Sequence, residues 1–194
     1  SGCIDTFTIA LPIIVNNPIP SFSASNTVCI NALVTFNNNS QNASSYLWDF
    51  GDGSTSNDSI PTHTYTTAGV YNVSLTATQN SCSVTQTQAG YITVVDPVSQ
   101  FTFTTSGQCM PVTVNFISQT SSAVSWLWYF GNGDSSLSQN PVYTYLTDPT
   151  DSISLIIIDA NGCSDTSNLA PFPYYAAGAA VEDSTICVSD TVQF

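Results

Sequence analysis

The sequence predicts an all-β protein made of β-sandwiches, and three observations carry that prediction. Apolar residues recur with a period of two in the longest candidate strands. Short candidate strands are separated by turns rich in Gly, Asn, Asp and Pro. The chain also repeats itself at an interval of 80 residues, which corresponds to a sandwich of about seven strands per repeat.

The strand prediction is clearest in "VYNVSLTAT", residues 70–78. There Tyr71, Val73, Leu75 and Ala77 alternate with Asn72, Ser74, Thr76 and Thr78. This alternation indicates a half-buried antiparallel strand with one apolar face. In the second copy, Ile153, Leu155 and Ile157 align with the inward face, whereas Ile156 and Ile158 fall on the outward face and predict an additional apolar strip.

The repeat divides the chain into two complete units and two partial ones. Matching residues lie 80 positions apart: Trp48 and Trp128, Phe50 and Phe130, Gly51 and Gly131, Gly53 and Gly133, Pro61 and Pro141, Tyr65 and Tyr145. In addition, "GCIDT" (2–6) matches "GCSDT" (162–166), and Cys187 precedes Phe194 as Cys29 precedes Phe36. We therefore expect the last strand of a preceding repeat at 1–15, domains at 16–96 and 97–175, and a truncated further repeat at 176–194.

The composition excludes several classes of function. The chain has no Lys or Arg and 13 acids, for a net charge of −13, so it repels nucleic acid and anionic lipid. Its apolar runs are too short to predict a membrane span. Without a catalytic motif, a cation to hold an oxyanion, or more than one His, the chain is predicted not to be an enzyme. His63 aligns with Tyr143 and is predicted to pack across strands.

The stretch "SYLWDFGDGS" (45–54) has two interpretations. Gly51 and Gly53 favour a tight corner, in which each Asp accepts backbone amides of its own turn. Alternatively, Asp49, Asp52 and Asp58 supply the oxygen ligands of a calcium site. The second copy favours the first interpretation because it replaces two of the acids by Tyr129 and Asn132 while keeping both glycines. The sequence suggests no cofactor other than calcium.

The motif "WDFGDG" (48–53), followed by "PTHTYTTAGVYNVSLTATQNSC" (61–82), resembles the PKD (polycystic kidney disease) domain. That resemblance implies an immunoglobulin-like β-sandwich in each unit, arranged as beads on a string. Units with a Cys before the second strand and an "NSC" or "NGC" turn are similar to tandem PKD arrays in large secreted surface proteins of Bacteroidota. The resemblance implies an extracellular, cell-surface location, with type IX secretion if the source is such a bacterium.

Six Cys in a chain that resembles secreted proteins predict a disulfide framework. In an immunoglobulin-like order, the start of the second strand and the end of the penultimate strand lie at the same end of one domain. The predicted pairs are Cys29 with Cys82 and Cys109 with Cys163, while Cys3 and Cys187 pair outside the fragment. The rival scheme, Cys82 with Cys109 and Cys3 with Cys29, would span about 30 Å, which is too far for a disulfide.

Four Asp-Ser or Asp-Thr triplets are candidate modification sites. They resemble the O-glycosylation acceptor of secreted Bacteroidota proteins and place the acceptor hydroxyls at Ser59, Ser152, Ser184 and Thr191.

Two hypotheses for function follow. The main one is a non-catalytic structural or adhesive segment of a large extracellular protein or filament, for example a gliding-motility or attachment adhesin. Its partners would be neighbouring repeats, surface polysaccharide or protein, or like subunits of a filament. The alternative is an accessory spacer or binding module of a secreted hydrolase. A full-length reading frame distinguishes them by showing either many units or a catalytic domain.

Overall fold

The computed structural model describes residues 17–106 and 110–170. The chain divides into two compact units between Val94 and Val95. The described residues form strands and turns without a helix, which confirms the all-β prediction. Within this described part, no helix is long and apolar enough to cross a membrane. The partial repeats predicted at 1–15 and 176–194 lie outside the described residues.

The described part of the first unit contains nine strands, most of them short. They are β1 (Phe22–Ser23), β2 (Thr27–Cys29), β3 (Leu33–Thr35), β4 (Asn37–Asn38), β5 (Ser45–Asp49), β6 (Thr55–Ser56), β7 (Thr62–Thr64), β8 (Gly69–Gln79) and β9 (Cys82–Val95). One sheet has the order β2-β9-β8-β5-β6, and the two-stranded pairs β1-β4 and β3-β7 complete the unit. The long antiparallel hairpin of β8 and β9 is the main element of the larger sheet.

Seven strands lie in the described residues of the second unit. They are β10 (Phe101–Thr105), β11 (Val112–Ser118), β12 (Ala123–Tyr129), β13 (Ser135–Ser136), β14 (Val142–Tyr145), β15 (Ile153–Asp159) and β16 (Ser164–Leu169). One sheet has the order β13-β12-β15-β16 and the other the order β10-β11-β14. In each unit the first strand of the long hairpin, β8 or β15, pairs with the strand that ends in the glycine corner.

The core of the first unit is built around Trp48, which is fully buried. Phe22 meets its ring edge-on with centroids 5.3 Å apart, and Phe36 lies on its other side at 5.7 Å. The inward residues of β8, Val73 and Leu75, are also fully buried against it. The period-two prediction for this strand is confirmed.

The core of the second unit places equivalent residues around Trp128. Phe101 and Phe116 approach its ring to 5.0 and 5.2 Å, and Ile153, Leu155 and Ile157 are fully buried, as the alternation predicts. One polar contact differs between the two units. Trp48 Nε1 donates to the carbonyl of Asp58 at 3.0 Å, whereas the buried Trp128 Nε1 has no acceptor among the described residues.

The outward faces of the two long hairpins differ in polarity. In the first unit, hydroxyl pairs bridge β8 and β9 at 2.7–2.8 Å: Ser74 with Thr87, Thr76 with Thr85, and Thr78 with Ser83. In the second unit, Ile156 and Ile158 occupy the corresponding face of β15 beside Leu127, and Ile158 is 40% exposed. The predicted outward position of both isoleucines is confirmed.

The structure corrects the disulfide prediction for the first unit. Cys29 is disulfide-bonded to a partner outside the described residues, and Cys82 is a free, exposed thiol. The predicted pair is wrong because β2 meets β9 near Thr93, whose amide donates to Asn26, while Cys82 begins the same strand. The two cysteines are thus roughly 30 Å apart along β9, and a disulfide spans at most about 7 Å between Cα atoms.

In the second unit, Cys163 is disulfide-bonded and 1% exposed, and its partner also lies outside the described residues. Cys3, Cys109 and Cys187 fall in segments that the structure does not describe, so their pairing stays a prediction.

Candidate functional site: the glycine corner

The corner after β5 is a tight reversal that needs glycine at two positions. The amide of Phe50 donates to the carbonyl of Ser54 at 3.1 Å, which closes the turn. Gly51 and Gly53 adopt φ angles of +84° and +93°, in the region that side chains disfavour. A Cβ at Gly51 would lie 2.2 Å from the carbonyl oxygen of Asn72 on β8, so the corner presses directly on the neighbouring strand.

The second unit builds the same corner after β12. Phe130 donates to the carbonyl of Asp134 at 3.0 Å, and Gly131 and Gly133 have φ angles of +76° and +95°. A Cβ at Gly131 would lie 2.2 Å from the carbonyl oxygen of Asp151. The backbone geometry is therefore kept although the acids have changed.

A buried tyrosine ties each corner to the opposite sheet. Tyr65 donates its hydroxyl to the carbonyl of Phe50 at 3.0 Å, and Tyr145 does the same to Phe130. Both rings are almost fully buried. Burial raises the pKa of Tyr65 well above its ordinary value, so this phenol remains a donor at every physiological pH. The recurrence of Tyr at 65 and 145 was visible in the sequence, but this hydrogen bond was not predicted.

The acids of the first corner are occupied within their own turns. Asp49 accepts the amide of Gly51, and Asp52 accepts the amide of Ser54, both at 2.9 Å. Asp58 accepts the hydroxyl of Ser56 at 3.1 Å. These contacts match the turn interpretation. Within residues 17–106 and 110–170, no three His, Cys, Asp or Glu side chains are grouped closely enough to hold a metal ion.

His63 packs on the corner as the sequence predicts. Its ring stacks on Phe50 with centroids 4.3 Å apart, and its Nε2 lies 2.7 Å from Asp52 Oδ2. In the second unit, Tyr143 stacks on Phe130 at the same distance. The Tyr143 hydroxyl accepts from Asn132 Nδ2 at 2.7 Å and donates to the Asp134 carboxylate, whose hydrogen bond raises the pKa of the Tyr143 hydroxyl.

The contact between His63 and Asp52 makes the first corner sensitive to acid. Burial pulls the pKa of Asp52 upward, but hydrogen bonds from His63 and from the Ser54 amide outweigh it and hold the pKa below its ordinary value. Because the folded-state pKa is the lower one, the resulting stabilisation is present above about pH 4 and is lost as the pH falls through the folded-state value.

We therefore expect Asp52→Asn to remove an acid-sensitive part of the stability of the first unit. The Asn side chain keeps the turn, since Asn132 accepts the amide of Asp134 in the second unit. The free energy of unfolding of the parent should exceed that of the variant by about 0.5–1 kcal/mol at pH 6 and converge with it near pH 2. Urea unfolding, monitored through hydrogen exchange of the β8 amides, measures this difference in the free energy of unfolding. A constant gap across this pH range would contradict the assignment.

A second turn lies at the tip of the β15–β16 hairpin, in the "NGC" segment, and the role of Asp159 in it was not predicted. Asp159 accepts the amides of Asn161 and Cys163 at 2.9 and 2.8 Å. Burial raises the pKa of Asp159, but these amides outweigh it and lower the pKa overall. An Asp two residues before an Asn-Gly turn is the signal that could have indicated this arrangement. Like the corner acids, Asp159 is fully engaged by its own loop.

The candidate glycosylation hydroxyls are partly described. Ser59 lies in an exposed turn between Asp58 and the exposed Ile60, and Ser152 is exposed next to the start of β15. Both are accessible for modification. Ser184 and Thr191 lie outside the described residues, and glycosylation stays a prediction at all four positions.

One groove of the first unit has no catalytic pair among its lining residues. It is open, has a volume of about 550 Å³ and lies between β1 and β3. Its lining has neither acid, His nor Cys: Ser23, Ala24, Ser25, Val28, Leu33, Val34, Thr35 and Asn37. A groove of this composition offers hydroxyl and amide contacts but no nucleophile paired with a base.

Comparison with known proteins agrees with this geometry. The PKD domain model matches residues 15–94. The first unit is a PKD domain. A crystal structure of the PKD1 domain of Vibrio anguillarum Epp is 32% identical and covers 41% of this chain and 98% of its own, with a TM-score of 0.36. Fibronectin(III)-like modules of Clostridium thermocellum CbhA cover 86% of this chain and 100% of their own at 12% identity, with a TM-score of 0.36.

Among curated proteins, this chain is similar to short stretches of large proteases. A pre-pro-metalloprotease, PrtV, of Vibrio cholerae is 56% identical over 39 residues, which are 20% of this chain and 4% of that protein. Collagenase ColA of Bacillus cereus is 42% identical over 53 residues, or 27% of this chain and 6% of that protein. The chain thus spans only a small fraction of the length of these relatives.

Proposed function

We propose that this segment is a non-catalytic accessory module, a spacer within a longer extracellular protein such as a secreted protease. The observation that carries the proposal is the corner itself. Its polar groups are consumed by the turn, by His63 and by Tyr65, so the motif supports the sandwich and leaves no free group for chemistry. The similarity to short stretches of a metalloprotease and of collagenases supports this role.

An extracellular location is supported by the oxidised state of two cysteines. Cys29 and Cys163 are both disulfide-bonded, and structural disulfides persist in oxidising compartments. The absence of Lys and Arg suits a module that must survive beside proteases, because trypsin-type enzymes have no site at which to cleave it.

A structural or adhesive array is the second candidate, and one observation favours it. The second unit rebuilds the core and the corner of the first with equivalent residues, including Trp128, Gly131 and Tyr145. Modules of this kind, strung in series, extend the reach of a surface protein without adding chemistry. The complete reading frame decides between the two candidates: a catalytic domain favours the spacer, and many further units favour the array.

Resistance to proteolysis tests the spacer proposal. We expect the two folded units of the 194-residue protein to resist digestion by a metalloprotease that cleaves at apolar residues. The corner variant Gly51→Ala should be cut in its first unit at least about tenfold faster than the parent protein. The cleavage rate follows the open population, and about 1.4 kcal/mol of lost stability raises that population tenfold. Trypsin should leave both proteins intact, which makes it the matched control for contaminating activity.

Three results would contradict the proposal. One is rapid cleavage of the parent protein within its folded units. Another is release of peptides from gelatin by the purified chain, which would show catalysis. The third is saturable co-sedimentation with insoluble collagen or with a cell-wall polysaccharide, which would make the segment a binding module instead of a spacer.

A further inference from the structure

Within residues 17–106 and 110–170, one edge of the first unit's larger sheet is unpaired over seven residues. β9 pairs with β8 from Cys82 to Gln88 on one side. On its other side the three-residue strand β2 reaches it only near Thr93, whose amide donates to Asn26. Between Cys82 and Gln88, no described strand covers that second side.

The hairpin geometry identifies the backbone groups that face this edge. Gln79 and Cys82 flank a two-residue turn and form its hydrogen-bonded pair. Hydrogen-bonded pairs recur at every second residue of an antiparallel ladder, so the backbone groups of Val84 and Gln86 also bond to β8. The alternate residues, Ser83, Thr85 and Thr87, therefore direct their amides and carbonyls away from β8. The contacts of β8 agree with this alternation. Thr78, which lies opposite Ser83, directs its carbonyl away from β9 and accepts the amide of Ser44 at 2.8 Å.

In the part of the chain that the structure describes, this edge has none of the features that usually prevent strand pairing. From Gly69 to Val95 the sequence has no Pro and no acidic or basic residue, although the chain carries a net charge of −13. Natural edge strands are commonly protected by charges, Pro or a covering segment. In the second unit the corresponding strand, β16, carries an acid, Asp165, and Ser99 contacts the strand through its amide to Asp165 at 2.7 Å and its hydroxyl to Ser167 at 2.8 Å.

We infer that the open edge of β9 pairs with the same edge of a second copy of this chain, in antiparallel register about a twofold axis at Thr85. The free backbone groups of Ser83, Thr85 and Thr87 are symmetric about Thr85, so this register joins all of them in hydrogen bonds between the copies. On the outward face it places Thr85 beside Thr85 of the second copy and Ser83 beside Thr87, which continues the hydroxyl ladder across the interface.

Charge is the reason for assigning a second copy as the partner. Two chains of charge −13 repel each other at most approaches, and the uncharged hairpin is a surface where that repulsion is weakest. A symmetric edge is complementary to itself without any other sequence. This self-association depends neither on the spacer role nor on the array role, so its failure would leave the proposed function standing.

Sedimentation velocity on the 194-residue protein tests the pairing. We expect a reversible dimer with a dissociation constant on the order of 100 µM, as suits a small interface without an apolar centre. Thr85→Pro should weaken it at least about tenfold, because it removes an amide that faces the edge and leaves the β8 pairing intact. Thr85→Val is the matched control, since it removes the same hydroxyl but keeps the amide, and it should stay within about threefold of the parent.

A double variant guards against misfolding of the Pro variant. Ser83→Asp with Thr87→Asp keeps every amide and places like charges opposite each other in the proposed register, so it should also abolish the dimer. Cys82→Ser excludes a disulfide-linked dimer, and the association should persist in it because Cys82 lies opposite Gln88 of the second copy. A protein that stays monomeric up to about 1 mM, or a dimer that survives both edge variants, would overturn the inference.

Discussion

Replacing Gly51 by Ala is expected to unfold the first unit or to leave it only marginally stable. The added Cβ would lie 2.2 Å from the carbonyl oxygen of Asn72 and 3.1 Å from its amide nitrogen, both in the backbone of β8. Asn72 lies between Tyr71 and Val73, which both pair with β9, so its backbone cannot move away without disturbing that pairing. We expect a loss of about 4 kcal/mol or more, against a total stability of about 5–10 kcal/mol for a domain of this size.

Gly53→Ala is the matched control because it shares the backbone strain without the collision. Gly53 has a φ of +93°, but a Cβ there would meet nothing within 4 Å. Its cost should be about 1–2 kcal/mol, the usual penalty for a side chain in the left-handed region. Hydrogen exchange of the β8 amides measures the stability of the first unit in each variant. Exchange of the β15 amides reports the stability of the second unit independently. Similar losses for both glycines would show that the contact with β8 is unimportant.

The two core tryptophans should respond differently to the same substitution. Trp48→Phe removes buried ring volume and the hydrogen bond to Asp58, for an expected loss of about 3 kcal/mol. Trp128→Phe removes the same volume together with a buried N–H that has no described acceptor. That substitution should therefore be milder, at about 1–2 kcal/mol.

Urea unfolding, monitored through hydrogen exchange of the β8 and β15 amides, measures the stability of each unit in each variant. A truncation to Leu at each site provides the control for cavity size, since it removes the indole N–H equally but leaves more empty volume. If Trp128→Phe destabilises its unit as much as Trp48→Phe does, the hydrogen bond of Trp48 makes no measurable contribution to the stability of the first unit.

The strands were predictable because alternation follows directly from burial of one sheet face. Val73 and Leu75 in β8, and Leu155 and Ile157 in β15, are fully buried as their spacing predicts. The difference in hydrogen bonding between Trp48 and Trp128 was not predictable, because it depends on where the carbonyl of Asp58 points in a turn. Such contacts depend on loop coordinates and leave no periodic pattern in the sequence.

The disulfide of the first unit was mispredicted for a topological reason. The prediction placed Cys29 and Cys82 at one end of the sandwich. In the structure, Cys82 lies at the tip of a long hairpin, whereas Cys29 belongs to a three-residue strand near the far end of β9. A strand as short as β2 has too little pattern for the sequence to indicate which part of its neighbour it meets.

The role of the corner could be predicted because the chain contains its own comparison. Gly131 and Gly133 keep the positive φ angles of the first corner, while Asn132 replaces an acid. The comparison indicates that the fold requires the two glycines and does not require the acid between them. The hydrogen bonds from Tyr65 and Tyr145 that secure both corners emerged only with the coordinates.

A calcium titration followed by differential scanning calorimetry tests the central claim that the corner is structural. With Asp49 and Asp52 engaged by their own turns, addition of about 1 mM calcium should shift the melting temperature of the first unit by less than about 1 °C. The second unit, with Tyr129 and Asn132 in those positions, should behave identically. A rise of about 5 °C or more that is confined to the first unit and is lost in Asp49→Asn would contradict the account.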